Sequence, residues 1–282
     1  MARVLIAGCG YVGSVLGQQL VRDSHEVWGL RRNPRSLPPS IQPIEADLAG
    51  PDGCADVPPD LDWIFYLVSP SGSEDAMYRR AYVENQQALL AALERQGQTP
   101  KRLLFASSTA VYQQSDGDWI DESSPTIPEH FSGKRLLEAE QLALKSRVPA
   151  TVVRFGGIYG PRRTGLIDRV RAGQAVYRAG PPQFSNRIHR DDCAGVLRHL
   201  IELDEPASVY LGVDCDPTDQ RTLLNWLAGV LGSPVPRPAG SGEVSSARGN
   251  KRCRNDRLLE SGYTFRYPTF REGYRAVLEG AD

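Results

Sequence analysis

The chain lacks most features that would fix its class at once. It has five cysteines in 282 residues, and none of them form a C-x-x-C pair. Cys9, Cys54, Cys193, Cys215 and Cys253 are scattered and the four histidines lie far apart, so no metal-ligand spacing exists. The thiols read as reduced side chains of a cytoplasmic protein. No apolar run approaches the length of a membrane span. The N-terminus passes straight into a strand, without the basic, apolar and small-residue pattern of a secretory leader. Charge is nearly balanced, with 33 basic and 34 acidic side chains. That balance gives no reason to expect nucleic acid or a membrane surface as partner. No internal repeat is visible.

What is present starts at residue 3. The apolar strand Arg3 to Ala7 runs into Gly8-Cys-Gly10-Tyr-Val-Gly13, and a helical stretch from Ser14 to Arg22 follows. Strand, G-x-G-x-x-G and helix in this order form the signature of a dinucleotide site. Gly8 permits the tight turn, Gly10 lets a pyrophosphate approach the backbone, and Gly13 lets helix and strand pack closely. The helix start then offers N–H groups and a partial positive charge to the phosphates.

The end of the second strand, His25 to Leu30, selects between cofactors. NAD-binding chains place a carboxylate there for the ribose hydroxyl. This chain has Arg31 and Arg32, whose guanidinium groups pair with the 2′-phosphate of NADP. The expected cofactor is therefore NADP. Asp47, just past a third strand, either accepts a hydrogen bond from the adenine amino group or serves as a turn residue.

Strand and helix patterns alternate through the first 160 residues: strand 62–68, helix 76–95, strand 102–106, helix 133–146 and strand 150–154. The expected fold is an α/β Rossmann domain, a doubly wound parallel sheet over residues 1–160, with a small C-terminal substrate lobe. Residues 161–282 form mainly that lobe, with some segments returning to the sheet. Gly8, Arg31, Val68, Ser107 and Gly156 all follow strand ends, where such sheets bind ligands. Proline and glycine punctuate the second part, and 234–249 reads as a mobile loop. Residues 1–160 carry 15 basic and 19 acidic side chains, and residues 161–282 carry 18 and 15. A basic second part suits an anionic small-molecule substrate.

Phe105-Ala-Ser-Ser-Thr-Ala-Val-Tyr112 puts hydroxyls just past a central strand, where one can polarise a substrate carbonyl. With this segment the chain resembles the extended and atypical short-chain dehydrogenase/reductases, the epimerase/dehydratase superfamily. Other matching segments are Asn85 in Tyr82-Val-Glu-Asn85, Arg154-Phe-Gly-Gly-Ile-Tyr-Gly-Pro161, Ile188-His-Arg-Asp-Asp192 and Lys251 to Pro268. The resemblance implies an NADP-dependent oxidoreductase or epimerase-like enzyme acting on a nucleotide sugar or similar metabolite. It extends the cofactor set to Tyr11, Val12, Leu48, Val68, Ser69, Lys134 and Gly157. It also implies that Ser108 is the active-site hydroxyl and that a homodimer could form through the helices around Asn85 and after Lys134.

The departure from the family pattern lies at His130. In the family a catalytic tyrosine precedes the lysine by four residues. Here the lysine is Lys134 and the residue four before it is His130. Three readings follow. His130 replaces the phenol as proton carrier, or Tyr112, Tyr159 or His189 does so, or the protein binds NADP as a redox-sensing or regulatory module without turnover. On the substrate side, Arg162, Arg187 and Arg190 are placed to grip an anion. Asp191 and Asp192 read as partners of these arginines or as helix caps.

Overall fold

The structure of the chain, a computed structural model, describes residues 1–50, 52–240 and 249–280. Half of the loop expected at 234–249, residues 241–248, lies outside the described residues. Those described there include Arg237 and Pro238, which pair with Val176 and Tyr177 as short parallel strands. The chain divides into two units. The first comprises Met1–Val111, Thr126–Arg154 and Cys193–Tyr210, and the second comprises Tyr112–Pro125, Phe155–Asp192 and Leu211–Asp282.

The first unit is built on a sheet whose central strands are buried on both faces, as their apolar runs require. Its strands are β1 (Arg3–Ala7), β2 (Glu26–Arg31), β3 (Gln42–Glu45), β4 (Trp63–Tyr66), β5 (Arg102–Ser108), and strands at Ala150–Phe155 and Val209–Gly212. The seven lie in the order 209–212, 150–155, β5, β4, β1, β2, β3. The pairings among β1 to β5 are parallel, with Val4 opposite Val27 and Trp63. Strand order reverses between β1 and β4, so their carboxyl ends diverge and open a crevice. Val4, Leu5, Ile6, Ile64, Phe65 and Leu103 are wholly buried in the centre of this sheet.

Three helices differ from the sequence expectation, each for a local reason. The single helix expected over 76–95 is α2 (Asp75–Arg79) and α3 (Asn85–Arg95), joined by a π-helical turn at Arg80–Glu84. The helix expected from Gly133 is α4, Phe131–Leu144, and it starts early because the His130 side chain caps it. The helix that Asp191 and Asp192 were expected to cap spans Arg190–Leu200, so both lie within its first turn, where the helix dipole favours acids.

The second unit has its own core. Tyr159, Ile167, Val170, Leu223, Leu224, Leu227, Phe270 and Tyr274 pack together. Short strand pairs complete it: 157–159 with 187–189, 184–185 with 218–219, and 118–120 with 251–253. Among the described residues no helix is long and apolar enough to cross a membrane, and no cluster of three metal-ligating side chains occurs.

Candidate cofactor cleft and active-site segments

A cleft of about 660 Å³ opens in the first unit at the carboxyl ends of β1, β2 and β4. Eight of the residues expected to hold a cofactor line it: Gly8, Gly10, Arg31, Arg32, Asp47, Leu48, Val68 and Ser69. Tyr11 and Val12 continue the glycine turn into α1 (Gly13–Arg22). Lys134 lies on α4 and Gly157 in the second unit, and neither is among the lining residues. A smaller cavity of about 460 Å³ between 48–55 and 88–96 shares Leu48 with the cleft, but has no glycine turn in its wall.

The turn excludes a side chain at Gly8 and leaves open space over Gly10. Gly8 has φ +83°, and a Cβ there would fall 2.5 Å from the Val68 nitrogen. Its own N–H and that of Cys9 donate to the Leu30 carbonyl at 2.9 and 3.1 Å, tying β1 to β2. At Gly10 a Cβ would meet nothing nearer than the Gly8 carbonyl at 3.8 Å, so the space over this backbone is open. The N-cap of α1, Val12, supplies no side-chain cap, and the first turn holds no acid. The helix start therefore presents N–H donors and positive potential that its own side chains do not meet. These features fit a pyrophosphate.

Arg31 follows directly. Its guanidinium donates to the Cys9 carbonyl at 3.3 Å and to Ser36 Oγ at 3.2 Å, which fixes it beside the glycine turn. Arg32 and Asn33 are exposed in the same wall. Asp47 lies past β3, and its carboxylate accepts from Arg80 Nη2 at 2.8 Å. Arg80, Met77 and Ala81 also line the cleft, and the sequence reading did not include them. The i, i+4 spacing of Met77, Ala81 and Asn85 could have revealed two of them. Arg80 enters through the π-helical turn, which no sequence pattern announces.

The candidate catalytic residues occupy β5 and α4. Ser108 ends β5, is half-buried, and its Oγ accepts from the Ala110 N–H at 3.2 Å. At Gly133 a Cβ would fall 2.4 Å from the Ala110 carbonyl, so only glycine lets α4 lie against the turn after Ser108. This contact brings the segments of Ser108 and Lys134 together. Lys134 is exposed in the first turn of α4. His130 is exposed as well. Its Nδ1 accepts from the Ser132 N–H at 3.3 Å and lies 2.8 Å from Ser132 Oγ. With Nδ1 used by the cap, Nε2 is the nitrogen left to carry a proton outward.

The other proposed proton carriers are placed differently. Tyr112 is buried, and its carbonyl accepts from Lys251 Nζ at 2.8 Å. Tyr159 is buried against Tyr274 with ring centroids 4.5 Å apart, and burial pushes its phenol well above the usual range. His189 is 1% exposed, and its Nδ1 accepts from the Asp191 N–H at 3.2 Å. Burial pulls its imidazole down to about 4 against the opposing pull of Asp191.

The three candidate substrate arginines also diverge. Arg162 is exposed with a left-handed backbone, φ +65°. Arg187 is half-buried and reaches Ser185 and Tyr274. Arg190 departs from expectation: it is 4% exposed and its Nε donates to Asp191 Oδ1 at 2.9 Å. A guanidinium so enclosed and paired is a packing element. Asp192 is structural too. Its carboxylate accepts from the Tyr263 hydroxyl and from the N–H groups of Arg266 and Tyr267 at 2.8–3.0 Å.

Comparison with known proteins agrees with this architecture. A structure described as an NAD-dependent epimerase/dehydratase from Methylobacillus flagellatus is 37% identical, with a TM-score of 0.82, covering 99% of this chain and 98% of that one. The epimerase family protein SDR39U1 of Homo sapiens is 27% identical over 94% of this chain and 96% of its own length. The structure of human SDR39U1 with NADPH superposes with a TM-score of 0.80 at 23% identity, over 98% of this chain and 99% of that one. The model of the NAD dependent epimerase/dehydratase family matches residues 4–202, and the chain belongs to that family.

Proposed function

We propose that this protein is an NADP-dependent oxidoreductase or epimerase-like enzyme acting on a nucleotide sugar or a similar small anionic metabolite. The observation that carries the reading is the cleft itself, where the open face of Gly10, the uncapped start of α1 and the anchored Arg31 share one wall. Backbone N–H groups at that helix start bind the pyrophosphate, and Arg31 and Arg32 pair with the 2′-phosphate. The NADPH in the human SDR39U1 structure supports this assignment. Bound nicotinamide supplies hydride acceptance and donation. The chain supplies the rest. Ser108 donates a hydrogen bond to the reacting oxygen of the substrate, Lys134 holds the nicotinamide ribose, and His130 Nε2 moves the proton.

A second reading is that the protein binds NADP without turnover, as a regulatory or redox-sensing module. It is favoured by the absence of a tyrosine four residues before Lys134 and by the burial of Tyr112 and Tyr159. One experiment tests the shared foundation: titration with NADPH and NADH, followed by nicotinamide fluorescence, on wild type and Arg31→Asp. The expected result is tight NADPH and weak NADH binding, with NADPH affinity falling about 10- to 100-fold in the variant, the range of one lost charge-assisted contact. Binding of neither cofactor by wild type sinks both readings. A screen of nucleotide sugars and small anionic carbonyl compounds against the NADPH complex then separates enzyme from sensor.

A further inference from the structure

The Asp47–Arg80 contact is not part of the sheet or of the hydrophobic core. It crosses the cleft wall between residues 33 positions apart, with Nη2 2.8 Å from Oδ2, and the side chains are 54% and 42% exposed. An exposed pair of this kind contributes little to stability; what sets it apart from other exposed pairs such as Arg147–Glu94 is that both of its residues line the cofactor cleft. Both ends are held. The Asp47 carbonyl accepts from the Gly50 N–H at 2.7 Å, and Gly53 packs so closely that a Cβ would fall 1.9 Å from that carbonyl. Arg80 opens the π-helical turn between α2 and α3, a distortion that recurs at functional sites. The neighbouring Arg79 turns instead to Glu84 at 3.1 Å.

We propose that Arg80 is the positioning residue for adenine recognition: it holds the Asp47 carboxylate as acceptor for the purine amino group. The inference rests on the NADP reading and goes beyond it, because it assigns Arg80 to the base and leaves the 2′-phosphate to Arg31 and Arg32. An ionised carboxylate only accepts hydrogen bonds, so it favours adenine, which offers an amino donor, over hypoxanthine, which offers a carbonyl at that position. A guanidinium fixes the carboxylate in one orientation through a planar donor fork, which an ammonium does less well.

The test is the affinity ratio of NADPH to its hypoxanthine analogue, deamino-NADPH, with the NADPH-to-NADH ratio measured alongside. Wild type is expected to prefer NADPH over deamino-NADPH by about tenfold, the equivalent of about 1.4 kcal/mol. Arg80→Ala is expected to reduce that preference severalfold and leave the NADPH-to-NADH ratio unchanged, with Arg80→Lys restoring part of it. Asp47→Asn, which replaces an acceptor-only group by an amide, is expected to abolish the preference. Equal binding of the two bases by wild type overturns the proposal, as does an unchanged base preference in Arg80→Ala. A loss confined to the NADPH-to-NADH ratio overturns it too and moves Arg80 to the 2′-phosphate. Failure of wild type to bind NADPH at all is a different result, because it removes the cofactor reading itself.

Discussion

Arg154 Nη2 lies 2.7 Å from Glu140 Oε2, and the two side chains are 7% and 2% exposed. The Arg154 Nε donates to Oε1 at 3.0 Å, and Ser107 Oγ donates to the same oxygen at 2.5 Å. This buried cluster joins three elements: α4, which carries Lys134, the end of β5, which carries Ser108, and the strand 150–155. The arginine of the Arg-x-x-x-x-Tyr-Gly-Pro segment is thus a structural counter-charge. It holds together the segments that carry the candidate chemistry.

Removing one partner leaves the other charge buried and uncompensated, which typically costs 3–5 kcal/mol. Glu140→Gln and Arg154→Met are each expected to lose about that much in denaturant unfolding. The double variant Glu140→Gln with Arg154→Met is expected to lose less than the sum of the two singles. Additive losses would show that the pair is not energetically coupled.

Gly8→Ala combines a left-handed backbone with a Cβ placed 2.5 Å from the Val68 nitrogen. The left-handed conformation alone costs about 1–2 kcal/mol, and the clash must also displace the loop after β4. The variant is expected to melt several degrees lower and to lose NADPH binding. Fluorescence titration of the folded variant checks the second point. Unchanged affinity would show that the β1–β4 contact at Gly8 does not shape the cleft.

His130 and Ser108 can be separated by their partners. His130→Ala removes the α4 cap at a cost of about 1 kcal/mol. His130→Asn keeps a capping oxygen and removes only the imidazole, so its melting temperature is expected to stay near wild type. If His130 carries the proton, turnover in His130→Asn falls about 100-fold or more. Ser108→Ala is expected to lower kcat about 100- to 1,000-fold, the range of one oxyanion donor, with NADPH affinity unchanged. Full turnover in both variants would place the chemistry elsewhere.

His189 gives a pH signature of its own. Its imidazole titrates at about 4 when folded, against 6.5 for the ordinary group. The unfolded chain therefore binds more protons between those values, and the histidine's contribution to stability is greatest above pH 6.5 and is lost as pH falls to about 4. Asp191 on one side and Arg190 and Arg266 on the other act on it in opposite directions. Burial pushes the Asp214 carboxyl well above the usual carboxylate range, so it works with the reverse sign: its contribution is fully present below 3.8 and declines as pH rises from there toward the raised value. The difference between wild type and His189→Gln isolates the histidine. Chemical denaturation at pH 4.5 and 7 is expected to show a smaller gap between the two proteins at the lower pH. A gap that does not change with pH would mean that His189 titrates normally.

The sequence by itself determined the alternation of strands and helices in the first 160 residues and the glycine turn. Unbroken apolar runs and the G-x-G-x-x-G spacing leave a doubly wound sheet little alternative, and Arg31 at the end of β2 is placed by that register. Family resemblance located Ser108, Lys134 and the histidine in the tyrosine's place, because those motifs are local and ordered along the chain. Only the tertiary structure decided what depends on long-range partners. Asp47 and Arg80 meet across 33 residues and a π-helical turn, and no helical periodicity predicts that turn. Arg190 looked like an anion ligand as a charge in the sequence, but the fold buries it against Asp191. His130 became a helix cap because α4 begins one residue after it, a boundary that propensity places poorly. Charged side chains carry no sequence mark of whether they face solvent, substrate or each other. Packing makes that choice by setting which of them must be desolvated and therefore paired.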